Sequence, residues 1–343
     1  MAGEIAEQPH ALQATLDALL PRRDELAELA RGRHRLVFIA RGSSDNAAIY
    51  ARYLAEVHAG IGAALAAPSI ATLYNAKVDL SDTIAIAVSQ SGSTQEIVDT
   101  LSWSAACGAK TVAVTNVADS PLAESADLAL VTQAGREYAV PATKSYTTQV
   151  AALAVLVDAL APQPGTLDAD FARVAEQAEA MLKADPDVLA EMVKVLAATD
   201  EVLTSGRGLA FGTTLEVALK LEETCLRPVR GLSYADLKHG PIAIVDHELA
   251  TVLVAGPNGP TLPGLTELAG TVHDKGSPVL GLGGDAPFRA ACDLALPGPD
   301  LPEKLAPLAL PIPGQMLVEL LARQLGLDPD APRGLNKVTQ TES

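Results

Sequence analysis

The sequence predicts an α/β protein made of two tandem, doubly wound parallel-sheet domains. Three observations carry this expectation. Short apolar runs end in Gly and Ser and are followed by helical periodicity, as in "RLVFIARGSSDN" and then "AAIYARYLAEV". Such alternation is the pattern of βαβ units, whose crossover helices cover both faces of a parallel sheet. Hydrophobic residues make up 48% of the chain but aromatic residues only 3%, a balance that suits Ala-, Leu- and Val-rich helices packed on buried parallel strands. The design also occurs twice: Arg41-Gly42 recurs as Arg207-Gly208 (207 − 41 = 166) and Val88 as Val254 (254 − 88 = 166), a spacing on the scale of a duplicated domain.

Taken in order, residues 8 to 33 read as an amphipathic helical segment, and the first strand and helix follow. The unit returns as "DTIAIAVSQSGS" with helix "QEIVDTLSWSAA", then "KTVAVTNVADS" with "PLAESA", then "DLALVT". The Pro- and Gly-containing "APQPGTLDAD" reads as a connection, followed by one long helical stretch over 168 to 198. A second series comprises "EVLTSGRGLAFG", helix "TTLEVALKLEETCL", and strands "LATVLVAG", "SPVLGLGG" and "DLALPGP". With 343 residues, the expected division is 1–165, 166–330 and a tail, 331–343.

A net charge of −17 argues against nucleic-acid and anionic-membrane partners, which select basic surfaces. If the ligand is an anion, its attraction must be local. Cys107, Cys225 and Cys292 are odd in number and form no C-x-x-C pair, so neither a disulfide framework nor a zinc site is expected and a reducing cytoplasm fits. The start, "MAGEIAEQPH", has neither basic flank nor apolar core, and no apolar run is long enough to span a bilayer.

The stretch "AVSQSGSTQEIVD" brings Ser89, Ser91, Ser93 and Thr94 directly after an apolar strand. At the carboxyl end of a parallel strand, a loop that opens a helix points backbone N–H groups outward and attracts phosphate. Ser89, Ser91 and Thr94 would add hydroxyl donors there, and Gly92 would let the backbone approach. The alternative is that these hydroxyls cap the following helix. Ser43 and Ser44 form a second hydroxyl pair after the first strand, whereas the second copy has "VAGPNGP" in place of "VSQSGST".

In the second half, Glu216, Lys220 and Glu223 fall at i, i+4 and i+7 on one helix face. The face is either a solvated stripe with an ion pair, or the wall of a cleft where Glu223 moves a proton and Lys220 tunes it. His239, in "DLKHGP", is either an exposed loop residue or an acid–base group suited to neutral pH. "PRGLNKVTQTES" reads as a disordered end unless it folds over a pocket, in which case Lys337 matters.

Together these motifs resemble the sugar-isomerase (SIS) family of phosphosugar proteins. They are most similar to the isomerase half of glutamine:fructose-6-phosphate amidotransferase and to SIS-type amino-sugar-phosphate deaminases. The resemblance runs nearly full length through "EIAEQP", "GSSDN", "SQSGST", "TNVADSPLAESADLAL", "VPATKSYTTQ", "LEVALKLEE", "LKHGP" and "LNKVT". It implies two SIS domains of flavodoxin/Rossmann-like plan, and a sugar phosphate held by Ser89, Gln90, Ser91 and Thr94 with Ser43 and Ser44. It further implies that Glu223 moves a proton between C1 and C2 beside Lys220, and that His239, supplied by a neighbouring subunit of a homodimer, opens the ring. Lys337 would meet the open-chain sugar. Three departures stand out: residue 2 is Ala and the repeats begin at once, so glutamine-derived ammonia is not expected of this chain alone. Asn336 stands where the synthase typically has Ala, and "GLSYADLKHGP" differs from its loop.

The expected reaction is deamination of glucosamine 6-phosphate to fructose 6-phosphate and ammonia, without metal or organic cofactor. Galactosamine 6-phosphate or a fructosamine 6-phosphate are alternative substrates. A non-catalytic sugar-phosphate sensor is the alternative class, although sensors of this family usually carry a helix-turn-helix domain, for which there is no basic N-terminal room.

Overall fold

The computed structural model describes residues 1–337. The chain forms two compact units, one of residues 10–137, 144–172 and 336–337, the other of 1–9, 138–143 and 173–335. Each is built on a five-stranded sheet in which every pairing is parallel.

The first sheet comprises β1 (Arg35–Ile39), β2 (Gly62–Leu65), β3 (Thr83–Val88), β4 (Lys110–Thr115) and β5 (Leu128–Val131), in spatial order β2-β1-β3-β4-β5. The other comprises β6 (Glu201–Gly206), β7 (Val229–Ser233), β8 (Leu249–Ala255), β9 (Val279–Gly283) and β10 (Leu294–Leu296), in the matching order β10-β9-β8-β6-β7. Both are the doubly wound 2-1-3-4-5 arrangement. Thr83 pairs with Arg35 and Leu249 with Glu201, so the register repeats at the 166-residue offset found in the sequence.

All six residues of β3 are buried, as a strand covered on both faces requires. Ala85 and Ala87 pack beneath Ile97 and Leu101 of the helix Gln95–Ala106, and by alternation Ile84, Ile86 and Val88 point to the opposite face. The helices Ser43–Leu54 and Lys144–Ala159 pack on each other, and the second of these is buried along its whole length. In the other unit, Leu265, Leu268 and Val272 of the helix Leu262–Asp274 pack with Leu203 and Leu253, and Phe211–Cys225 packs on Pro311–Gln324.

The helical stretch over 168 to 198 is three helices, Asp168–Phe171, Val174–Met181 and Pro186–Ala198. Pro186 cannot continue a helix but fits its first turn. Asp185 accepts hydrogen bonds from the N–H groups of Asp187 (2.9 Å) and Val188 (3.4 Å) and starts the third helix afresh. The segment over 8 to 33 is likewise interrupted by a short 3₁₀ turn, Leu20–Arg22, around Pro21. Asp185→Ala is expected to lower stability by about 1 kcal/mol, read as a shift of the urea midpoint for the unit that contains it.

Candidate functional site

In the 2-1-3-4-5 order, crossovers from β1 and β3 leave on opposite faces, so the loops after these adjacent strands diverge and leave a crevice. In the first unit a cavity of about 120 Å³ lies there, lined by Arg41, Ser44, Val88, Ser89, Gln90, Ser91, Thr94, Ile97 and Lys337. Of the expected phosphate residues, Ser44, Ser89, Gln90, Ser91 and Thr94 meet around this one space. Ser43 precedes Ser44 in the first helical turn but is not part of the lining.

The loop is tied to the sheet before it turns. Ser89 N–H donates to Val114 O (3.0 Å) and Asn116 N–H to Gln90 O (3.0 Å), so pairing with β4 continues past the end of β3. The chain then reverses at Gly92, whose φ is +62°. A Cβ there would lie 2.2 Å from Ser120 Oγ and 2.5 Å from Ser120 Cβ. Glycine is required on both counts.

Thr94 occupies the N-cap position of the helix Gln95–Ala106, yet its side chain makes no capping hydrogen bond. The capping reading of this hydroxyl is therefore not realised, and Thr94 lines the cavity instead.

Two cations reach the cavity. Arg41, which the sequence reading used only to align the repeats, donates through Nε (3.2 Å) and a terminal nitrogen (3.1 Å) to both carboxylate oxygens of Glu96. Glu96 is buried in the first turn of the helix after β3, so the pair fastens the loop after β1 to the element after β3. Beside it, burial pushes the Asp45 carboxyl up and Arg41 partly offsets this. Lys337 ends the described chain with Nζ 2.8 Å from Glu137 Oε2. The disordered-end reading fails at this residue; Val338 to Ser343 of the tail motif lie outside the described residues.

In the other unit, the face carrying Glu216, Lys220 and Glu223 is not a solvated stripe. Glu216 and Lys220 are each 1% exposed. Lys220 Nζ lies 3.6 Å from Glu216 Oε1 and is hydrogen-bonded to Glu223, whose side chain keeps 27% exposure. A buried ammonium with two carboxylates, one still reachable from solvent, is an arrangement able to take and return a proton. Burial and the charge of Glu223 push the neighbouring Glu222 carboxyl up. His239 is exposed and closes the short helix Tyr234–Lys238, its N–H donating to Ala235 O (3.2 Å) and Asp236 O (3.1 Å).

The corresponding crevice of the second sheet is built differently. The loop after β8 lacks the hydroxyl series, and Glu303 lies against it. A Cβ on Gly259 would fall 2.1 Å from Glu303 Oε2, and one on Gly208 3.9 Å from Oε1. Burial pushes this carboxyl up, and a carboxylate so placed disfavours a second anion. Among the described residues no group of three or more His, Cys, Asp or Glu is placed to hold a metal ion, and no helix is long and apolar enough to cross a membrane.

A parallel α/β scaffold with a hydroxyl-lined, cation-flanked cavity at the first switch point places the chain among the doubly wound α/β proteins. Residues 29–159 match the SIS-domain family model. A Silicibacter pomeroyi protein, provisionally assigned as a phosphosugar isomerase, is 32% identical, with a TM-score of 0.85 over 95% of this chain and 98% of that one. The C-terminal domain of glucosamine-fructose-6-phosphate aminotransferase from Francisella tularensis is 27% identical, with a TM-score of 0.87 over 96% of this chain and 97% of that one. The isomerizing glutamine–fructose-6-phosphate aminotransferase of Thermococcus kodakarensis is 32% identical across 100% of this chain, which spans 58% of that relative. The chain belongs to the SIS-domain family and is related to the isomerase half of these aminotransferases.

Thr94→Ala is expected to change stability by less than about 0.5 kcal/mol, where loss of a working cap would cost about 1 kcal/mol. Lys220→Met removes one partner of a buried ion pair and is expected to cost roughly 3–5 kcal/mol; urea denaturation distinguishes all three magnitudes.

Proposed function

We propose that this chain is a phosphosugar-isomerising enzyme that deaminates an amino-sugar phosphate, converting glucosamine 6-phosphate and water to fructose 6-phosphate and ammonia. The observation that carries the reading is the cavity at the β1/β3 switch point. It sets four hydroxyls and a glutamine side chain beside two cations, which is the chemistry of a phosphate site in a chain that is otherwise strongly acidic.

In this reading, Ser44, Ser89, Gln90, Ser91 and Thr94 take the phosphate, with Ser43 supporting the turn, and Lys337 meets the open-chain sugar. His239 opens the ring. Its exposure at the end of a short helix suits donation to a second copy of the chain in a homodimer. Glu223 takes the proton from C2 and returns one at C1, which turns the C2 amine into an imine, while Lys220, hydrogen-bonded to it, holds the carboxylate in place. Water adds to that imine; the C–N bond breaks, ammonia leaves and the ketone remains. Each step is a proton transfer or an addition of water, so side chains of this chain suffice. The acidic surface and the reduced cysteines agree with a cytoplasmic setting. The related aminotransferases make the wider isomerase class the expected one, and the pairing of Glu223 with buried Lys220 favours catalysis over a sensor, which would need only the phosphate loop.

Ammonia release from glucosamine 6-phosphate and galactosamine 6-phosphate, assayed side by side, tests the reading and names the epimer. Phosphosugar binding without ammonia from either would shift it to a fructosamine 6-phosphate or a sensor. Glu223→Gln is expected to lower turnover by about 10² to 10⁴ with the sugar still bound. Ser89→Ala is expected to weaken phosphosugar binding by roughly tenfold or more, the worth of a hydrogen bond to a charged group, as read by calorimetry.

A further inference from the structure

Glu137 is the most deeply buried carboxylate near the cavity and is not part of its lining. Its side chain is 0% exposed and accepts hydrogen bonds from Ser145 N–H (3.1 Å), Ser145 Oγ (2.5 Å) and Lys337 Nζ (2.8 Å). Ser145 stands in the first turn of the wholly buried helix Lys144–Ala159, so two of these bonds come from a rigid element. The third goes to the residue that ends the described tail and lines the cavity. We propose that Glu137 is the positioning residue for Lys337: the buried helix fixes the carboxylate, and the carboxylate fixes the tail ammonium at the cavity.

Charge-assisted hydrogen bonds are shorter and stronger than neutral ones, and a carboxylate held by two donors from one rigid element has little freedom to move. The tail has no helix or strand of its own at Lys337, and this contact ties it to the buried helix. The internal repeat supports a specific role. Glu303 occupies the position 166 residues on (303 − 137), but its carboxyl lies against Gly259 and Gly208. One glutamate of the duplicated pair carries a lysine to its crevice, and the other occupies the crevice itself.

The inference rests on the phosphosugar reading for what Lys337 does, but its test uses no sugar. Trace acetylation of the full chain with acetic anhydride, followed by peptide mass spectrometry, reports the reactivity of each amine. Lys183 and Lys194, which are 72% and 68% exposed, serve as references. Lys337 is expected to react more slowly than both in the wild type. In Glu137→Gln its rate is expected to rise by about tenfold or more, the equivalent of a lost charge-assisted bond, while the two references stay unchanged. Glu137→Asp, which keeps the charge on a shorter side chain, should restore part of the protection. Ser145→Ala, which leaves the carboxylate in place but loosens it, should give a smaller rise and carries the test if the Glu137 variants fold poorly. A merely structural role would raise all lysines together. Lys337 reactivity unchanged in a folded Glu137→Gln or Ser145→Ala protein would overturn the proposal. Absence of phosphosugar turnover with the expected labelling pattern would instead overturn the functional reading and leave the positioning role standing.

Discussion

The pairing of β1 directly with β3 governs the arrangement of the first unit. Because β2 lies on the outer side of β1, the chain leaves β1 toward one face of the sheet and leaves β3 toward the other, and the two loops part at the carboxyl edge. "RGSSDN" and "SQSGST" are far apart in sequence but neighbours there. The apolar run of β3 holds this pairing in register, since a slip of one residue would exchange the faces that Ala85 and Ile86 occupy.

Electrostatics at the cavity are managed pair by pair. The chain carries a net charge of −17, so long-range attraction of an anion is not available to it. Arg41 and Lys337 each meet a buried carboxylate, Glu96 and Glu137 respectively, which holds the cation in place at short range. The same logic applies to Lys220 in the other unit, where a buried ammonium is tolerable because Glu216 and Glu223 approach it. In each case geometry is obtained from an ion pair whose desolvation would otherwise make it a poor source of stability.

Duplication has been followed by divergence in the loops while the sheets kept their order. Both copies retain the parallel 2-1-3-4-5 plan, for which buried Val, Ile, Leu and Ala runs are sufficient. The first copy has hydroxyls and a left-handed glycine after β3; the second has glycines and prolines after β8, with Glu303 seated against them. A sheet tolerates such exchange because its carboxyl-edge loops contribute little to the core.

By itself the sequence determined the α/β class, the duplication, and the contrast between the two carboxyl-edge loops, because strand-length apolar runs and glycine positions are local properties of the chain. It could not disclose the edge strands β2 and β7, whose "GAAL" and "VRGLS" carry little strand character and form because β1 and β6 offer them a parallel partner. Nor could periodicity decide between surface and cleft for Glu216, Lys220 and Glu223, since a helix face is identical in sequence whether water or another helix lies against it. Arg41, Glu96, Glu137 and the placement of Lys337 were settled by the tertiary structure alone. Their roles come from ion pairs across 55 and 200 residues of sequence, distances over which no local pattern operates and only the folded sheet brings the charges together.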